Sequence, residues 1–297
     1  MLTFLIDKST RAIVQGITGR VGQTQTHWML AAGTPLVAGV TPGRGGQVVE
    51  SLPVYDTVAD AVRNEGANAS VIFVPAVAAR EAVIEAIDSG LRLIVVITEH
   101  IPMRDTMDFK ARARRAGVTV IGPNCPGLFV PGSGKLGIMP VSIFRSGAPQ
   151  GVGVVGRSAT LCYEVIANLT GAELGQTAAV GIGGDPVVCT EFVEVLKLFE
   201  ADPATKGVVL VGEIGGTAEE RATAFIASMS KPVVALIVGR AAPPGRRFGH
   251  AGAIIRAGCG GAEQKIKALR EAGVTIADTP SQIPGLLKQR LTLLSRR

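Results

Sequence analysis

Short apolar runs rich in Val and Ile alternate with longer amphipathic stretches along almost the whole chain. That rhythm restricts the fold more than any other feature. "RAIVQGI", "PLVAGVT", "ASVIFVP", "LIVVIT" and "VTVIGPN" read as strands, with "DTVADAVRNEG", "AREAVIEAIDSG" and "DTMDFKARARRAG" as helices between them. Strands separated by helices of this length form βαβ units and a parallel sheet. A Pro/Gly-rich segment, 122–151, then breaks the rhythm with Pro123, Pro126, Pro131, Pro140 and Pro149, which predicts a domain boundary. The pattern resumes with strands "GVGVVG", "TAAVGIG", "GVVLVGEI", "PVVALIVG" and "VTIAD". The accompanying helices are "SATLCYEVIANLTG", "CTEFVEVLKLFEAD", "AEERATAFIASM", "AEQKIKALREAG" and "IPGLLKQRLTLL". The expectation is two open α/β sheets in tandem, with ligands beyond the carboxyl ends of the strands.

Composition excludes several alternatives. A hydrophobic content of 47% in 297 residues fits a globular chain with room for two domains. Aromatic residues are only 4%, which argues against a base-stacking nucleic-acid binder. No apolar run reaches the ~18–20 residues of a membrane span, and "MLTFLIDKST" lacks a secretory layout. Cys125, Cys162, Cys189 and Cys259 lie far apart with no CxxC spacing, so reduced thiols and no metal site are expected. A formal charge of +6 suits an anionic ligand, an acidic partner or simply a basic surface. Glycine, at 38 residues, is roughly double its ~7% average share. It concentrates in the loops, where it permits close backbone approach to a ligand.

Five loops carry candidate chemistry. "GITGRVG" places Gly16, Gly19 and Gly22 between the first strand and its helix, as a phosphate-binding turn or a merely tight one. An NAD site expects an acid about 20 residues further on; here "VTPGRGG" supplies Thr41 and Arg44. Arg44 favours a ligand with an extra phosphate, NADP or coenzyme A. "GSGKL" lacks the upstream Gly and the hydroxyl residue of a nucleotide-hydrolysis loop. "GRSAT" follows a strand and opens a helix, so Ser158 and Thr160 face an anion or form an ordinary N-cap. "VGEIGG" ends a strand with Glu213, either a poised acceptor or a solvated loop residue. "RRFGHAGAIIRAG" sets His250 among glycine and alanine, where a large group can reach a nucleophilic imidazole. The other histidines have weaker claims: His27, beside Trp28, is expected to pack, and His100 to line the first site.

Taken together, "LIDK", "QGITG", "GVTPGRGG", "GPNCPG", "GIGGDP", "GEIGG" and "GHAGAI" resemble, in order and spacing, the α-subunit family of succinyl-CoA synthetase (succinate–CoA ligase). The resemblance covers almost the whole chain. It implies a Rossmann-like CoA-binding domain over 1–125 and a flavodoxin-like ligase domain over 126–297. In that family the histidine of "GHAGAI" is transiently phosphorylated and moves between two sites, so its loop must be free of bulk. His250 would therefore carry the phosphoryl group and Glu213 would hydrogen-bond its ring. Ser158, Ala159 and Thr160 would cradle the phosphate. Thr18, Gly19, Arg20, Val21 and Arg44 would bind coenzyme A, with Val74, Pro75, Ala76, Ile97, Thr98 and Glu99. Tyr163 would border the carboxylic-acid substrate. The resemblance implies an ATP-grasp β subunit as partner, holding the Mg-nucleotide (ATP or GTP), and a cytoplasmic or, in a eukaryote, mitochondrial-matrix location.

Some positions depart from the family pattern. Gly156-Arg157-Ser158-Ala159-Thr160 stands where Ser-Arg-Ser-Gly-Thr is usual, Arg44 where Lys is more common, and "PVVCTEF" (186–192) where Gly and Ser are usual. Malate–CoA ligase and the citrate-activating enzymes share much of the pattern, but the malate type tends to have Ala at the position of Pro126. Two other classes remain open. An NADP-linked oxidoreductase would account for the first glycine loop and Arg44 alone; a CoA-binding protein without turnover would leave His250 unmodified.

Overall fold

A computed structural model describes residues 5–147, 150–256 and 258–295. The chain divides into two compact units. One is Thr3–Met139 with Val187–Thr190; the other is Pro140–Pro186 with Glu191–Arg297.

The N-terminal unit contains β1 (Ala12–Gln15), α1 (Arg20–Ala31), β2 (Leu36–Val40), β3 (Val48–Val49), β4 (Leu52–Tyr55) and α2 (Val58–Glu65). It continues through β5 (Ala69–Ile72), α3 (Ala76–Asp88), β6 (Leu93–Val96), α4 (Met103–Ala116) and β7 (Thr119–Ile121). The sheet order is β3-β4-β2-β1-β5-β6-β7, parallel throughout except for the short β3 against β4. Without β3 this is the 3-2-1-4-5-6 order of a Rossmann-like sheet. Strands β1, β5 and β6 are buried along their whole length, as a parallel sheet covered by helices requires. The helices carry readable ends: Thr57 accepts from the Asp60 N–H at 3.1 Å to start α2, and Gly66 closes it at φ +61°.

The Pro/Gly-rich segment is more than a linker. It contains an antiparallel hairpin, β8 (Gly127–Val130) and β9 (Gly134–Gly137), that belongs to the N-terminal unit. The Thr34 hydroxyl, past the end of α1, donates to the Lys135 carbonyl at 2.8 Å and accepts the Lys135 N–H at 3.0 Å. The two compact units divide between Met139 and Pro140. Pro149 lies outside the described residues. The "PVVCTEF" stretch also contributes to this unit: Cys189 N–H donates to the Gly122 carbonyl at 2.8 Å and the Thr190 hydroxyl to the Val120 carbonyl at 2.6 Å.

The C-terminal unit contains β10 (Gly151–Gly156), α5 (Ala159–Gly171), β11 (Gly175–Gly181), α6 (Phe192–Ala201) and β12 (Thr205–Glu213). It ends with α7 (Ala218–Ile226), β13 (Val233–Val238), α8 (Ala262–Glu271), β14 (Thr275–Ala277) and α9 (Ile283–Ser295). Within the unit the strands run β14-β13-β12-β10-β11, all parallel, which is the flavodoxin-like 2-1-3-4-5 order. In α5, Cys162, Val165, Ile166 and Leu169 recur at helical spacing and bury one face.

Glycines in β10 serve packing. A Cβ on Gly153 would stand 2.5 Å from Phe199 Cδ1, on a fully buried ring of α6. Gly153→Ala should therefore overpack this layer and lower stability by about 1–3 kcal/mol. Urea unfolding followed by circular dichroism checks this; a midpoint equal to that of the parent would show that the ring moves aside freely.

Candidate active site

In the C-terminal sheet the chain leaves β10 toward β11 on one side and returns to β12 on the other. The loops at the carboxyl ends of β10 and β12 therefore diverge and open a crevice. Arg157 follows β10 directly and Glu213 is the last residue of β12. The long connection from β13 to α8 brings in His250.

His250 Nδ1 lies 2.9 and 2.8 Å from the two Glu213 oxygens, and Arg157 Nε lies 3.4 Å from Glu213 Oε1. The side chains of Glu213 and Arg157 are 7% and 6% exposed, that of His250 25%. The rest of the Arg157 guanidinium donates to the Gly215 carbonyl at 3.3 Å and the Asp185 carbonyl at 3.5 Å. Glycines let the loop settle onto the strand ends. A Cβ on Gly184 would overlap the His250 ring, and one on Gly252 would stand 2.5 Å from Arg157 Nη2. The Gly252 N–H donates to the Gly184 carbonyl at 3.0 Å.

This geometry fixes the chemistry of the ring. A carboxylate only accepts, so Nδ1 carries the proton and the lone pair of the neutral ring is at Nε2. The hydrogen bond to Glu213 holds His250 above the ordinary histidine range; burial opposes it, the Glu213 charge reinforces it, Arg157 lowers it and Asp185 raises it. Cys162, beside Gly156, is pushed up to about 12 by burial and by the Glu213 charge, so it stays a thiol.

Ser158 is the N-cap of α5. Its hydroxyl accepts from the Leu161 N–H at 3.5 Å and lies 3.4 Å from Thr160 Oγ1. The Ala159 and Thr160 N–H groups fall in the first turn, where a helix supplies no acceptor of its own. Because Arg157 adjoins Ser158, this N-terminus and His250 are linked through Glu213. Tyr163 stands half-buried in the same first turns of α5. The motifs around Arg157, Gly184 and Asp185 mark these loops, but nothing in the local sequence assigns the three residues a role.

In the N-terminal unit the expected residues fall on the loops at the carboxyl edge of the sheet. Gly16, at φ +82°, packs against the Phe73 backbone and Val74, which joins the loops after β1 and β5. These two strands flank the point where the strand order reverses. Thr18 Oγ1 donates to Thr41 Oγ1 at 3.2 Å, and Thr98 Oγ1 to the Val74 carbonyl at 2.7 Å. Gly19 is the N-cap of α1, and Arg20 and Val21 open that helix. Arg44 lies in the exposed turn after β2, tied down where the Gly45 N–H meets Asp56 Oδ1 at 2.8 Å. Pro75 and Ala76 start α3, and Ile97 and Glu99 follow β6. His100 has a 90% exposed side chain, at the rim of these loops. The His27 ring meets Trp28 edge-to-face, with centroids 5.3 Å apart, but on the outer face of α1: its side chain is 58% exposed opposite Glu50, because α1 buries Gly22, Thr26 and Met29. No helix among the described residues is long and apolar enough to cross a membrane.

Comparison with known proteins agrees with both halves. The CoA binding domain family matches residues 7–100 and the CoA-ligase family residues 155–275. The chain is 55% identical to succinate–CoA ligase [ADP-forming] subunit alpha 2 of Archaeoglobus fulgidus, over 98% of its own length and 100% of that protein's. It is 53% identical to the corresponding alpha subunit of Methanothermobacter thermautotrophicus, over 98% of each chain. Among solved structures, ATP citrate lyase from Methanothrix soehngenii, in complex with citrate and coenzyme A, superposes with a TM-score of 0.88 at 26% identity. That match takes in 100% of this chain and 52% of the lyase chain, so the chain spans about half of the lyase's length. Fold and sequence thus define part of an acid–thiol ligase with a CoA-binding domain. The chain belongs to the succinate–CoA ligase alpha-subunit family.

Glu213→Gln should lower the titration midpoint of the His250 ring toward the ordinary histidine value, as read by nuclear magnetic resonance. The linked effect on stability has a definite sign. The folded value is raised, so the pair's contribution is full below the unfolded value and is lost as pH rises through the folded one.

Proposed function

We propose that the chain is the alpha subunit of a ligase that joins succinate to coenzyme A, with ATP cleaved to ADP and phosphate and His250 as the phosphoryl carrier. The observation that carries this reading is the buried Glu213 carboxylate bonded to Nδ1 of His250, which leaves Nε2 as the nucleophile. The ADP-forming names of the relatives support ATP as the donor and succinate as the acid. In the first step Nε2 attacks the γ-phosphorus, a nitrogen–phosphorus bond forms, and the bond to ADP breaks. In the second, a succinate carboxylate oxygen takes the phosphoryl group and the histidine is regenerated. In the third, the CoA sulfur attacks the acyl carbon, phosphate leaves, and the thiol proton passes to solvent or phosphate. Division into these steps replaces one difficult displacement with easier ones.

Each group has a part. Glu213 stabilises the positive ring as it is phosphorylated. The N-terminus of α5, with Ser158, Ala159 and Thr160, receives the phosphoryl group, and Tyr163 borders the acid. A single helix N-terminus supplies about half a positive charge, modest for a dianion, so an ATP-grasp β subunit is proposed to complete the cradle and to hold the Mg-nucleotide. Thr18–Val21, Arg44, Val74–Ala76 and Ile97–Glu99 hold coenzyme A along the first sheet's edge. The functional division is a CoA-binding half and a phosphohistidine half.

Incubated with its β subunit and labelled ATP, the chain should acquire acid-labile, base-stable label that is absent from His250→Ala. Label persisting in that variant would remove His250 from the pathway. Succinate, malate and citrate offered in turn should discharge the label fastest with succinate.

Arg44→Ala should remove one charge-assisted bond to a CoA phosphate. That is worth roughly 1.5–3 kcal/mol, or about 10- to 150-fold in affinity, with phosphorylation of His250 unchanged. Calorimetric titration with coenzyme A tests it, and equal binding by the variant and its parent would place the phosphates elsewhere.

A further inference from the structure

Beneath the Glu213–His250 pair lies a second charged group that the proposed chemistry does not use. Lys265, in α8, has no exposed surface. Its Nζ lies 2.5 Å from Glu219 Oε2 and 2.9 Å from Glu220 Oε2, and donates to the Gly216 carbonyl at 3.0 Å. Glu219 is as deeply buried, and its other oxygen accepts the Glu213 backbone N–H at 3.2 Å. Strand β10 stops at Gly156, opposite Val211, so no β10 residue stands opposite Glu213, and a side-chain carboxylate serves as its acceptor. Strand β12 makes room for it. A Cβ on Gly212 would stand 2.8 Å from Glu219 Cγ and 2.9 Å from Glu219 Oε1.

A buried ion triad is weak evidence for stability, because desolvation of the charges offsets their attraction. The arrangement has a clear geometric effect instead. Arg157 grips the Glu213 carboxylate and the Gly215 carbonyl from one side. Lys265 grips the Gly216 carbonyl, and Glu219 the Glu213 N–H, from the other. The four-residue turn that presents Glu213 is pinned at both ends.

We infer that Glu219, held by Lys265, is a positioning residue that sets the Glu213 carboxylate against the His250 ring. This rests on the reading of His250 as the phosphoryl carrier. The bond to the Glu213 N–H holds the end of β12 on the side where β10 has stopped, Val238 of β13 standing opposite on the other, and so steadies the backbone from which the carboxylate reaches Nδ1. Misplacement of a reacting group by about 1 Å can cost about 100-fold in rate.

Two double variants isolate the bond. Lys265→Met with Glu219→Gln and Lys265→Met with Glu219→Leu both lack the Lys265 and Glu219 charges and leave Glu220 unchanged, and only the first can accept from Glu213. Each is purified as the full chain and assayed with the β subunit and labelled ATP. The titration of the His250 ring is followed separately by nuclear magnetic resonance. The Leu variant should phosphorylate about 10- to 100-fold more slowly than the Gln variant. Its ring midpoint should lie closer to the ordinary histidine value, with coenzyme A binding equal in the two. Equal rates and equal midpoints would overturn the inference. Should the Leu variant fail to fold, Gly212→Ala, which displaces Glu219 by one methyl group, takes its place against the parent; an unchanged midpoint and rate would again overturn it. Absence of label in the parent would defeat the phosphohistidine reading alone, since the titration decides the positioning role independently.

Discussion

Glu213 ends a buried strand, and its carboxylate is removed from water except through what touches it. Such a group persists only with cationic or hydrogen-bonding partners in fixed places. Here the partners are His250 and Arg157, one from the loop after β13 and the other from the end of β10. Several features of the C-terminal unit follow from the need to bring those two elements to one carboxylate. Gly184 and Gly252 have no side chain because the imidazole and the guanidinium occupy the space where one would stand. The His250 ring remains partly open to solvent while its anchor is buried.

Both sheets solve the same geometric problem. Parallel strands deliver their loops to one edge, and the reversal of strand order separates two of those loops. In the N-terminal unit the crevice lies by Gly16 and Val74, with Thr18, Thr41 and Thr98 tying adjacent loops together. In the C-terminal unit it lies between Arg157 and Glu213. The first edge carries the N-terminus of α1 and the second that of α5, whose first N–H groups have no acceptor within the helix. Four buried charged residues near the second edge, Arg157, Glu213, Glu219 and Lys265, bond to the loop backbone or to one another.

How much could be read beforehand depended on the range of the interaction. Alternation of apolar runs predicted the parallel strands and the helices between them, because burial on both faces of a sheet leaves a continuous apolar signal. It did not predict the β8–β9 hairpin. The segment is rich in Pro and Gly and short on alternation, and Lys135 in its second strand bonds to Thr34, about a hundred residues away in sequence. The same limit applies to His27. Its ring does meet Trp28 edge-to-face, yet both stay largely exposed, because the face that α1 buries is chosen by what lies beneath it, and Gly22, Thr26 and Met29 fill that face.

The sequence by itself determined the two-sheet architecture, and it marked His250, Glu213, Arg44 and Ser158 as candidate groups on the loops at the carboxyl edges of the strands. Local composition and spacing carry those signals, because they reflect backbone sterics and side-chain chemistry within one element or one loop. Only the tertiary structure decided that Glu213 is buried rather than solvated, that it faces Nδ1 of His250, and that Arg157, Glu219 and Lys265 hold it there. Apart from the bond between Glu213 and Glu219, six positions apart, those contacts join residues 37 to 58 positions apart. They exist because the return of the chain to a parallel sheet brings distant strand ends side by side, and no local pattern in the sequence records which ends will meet.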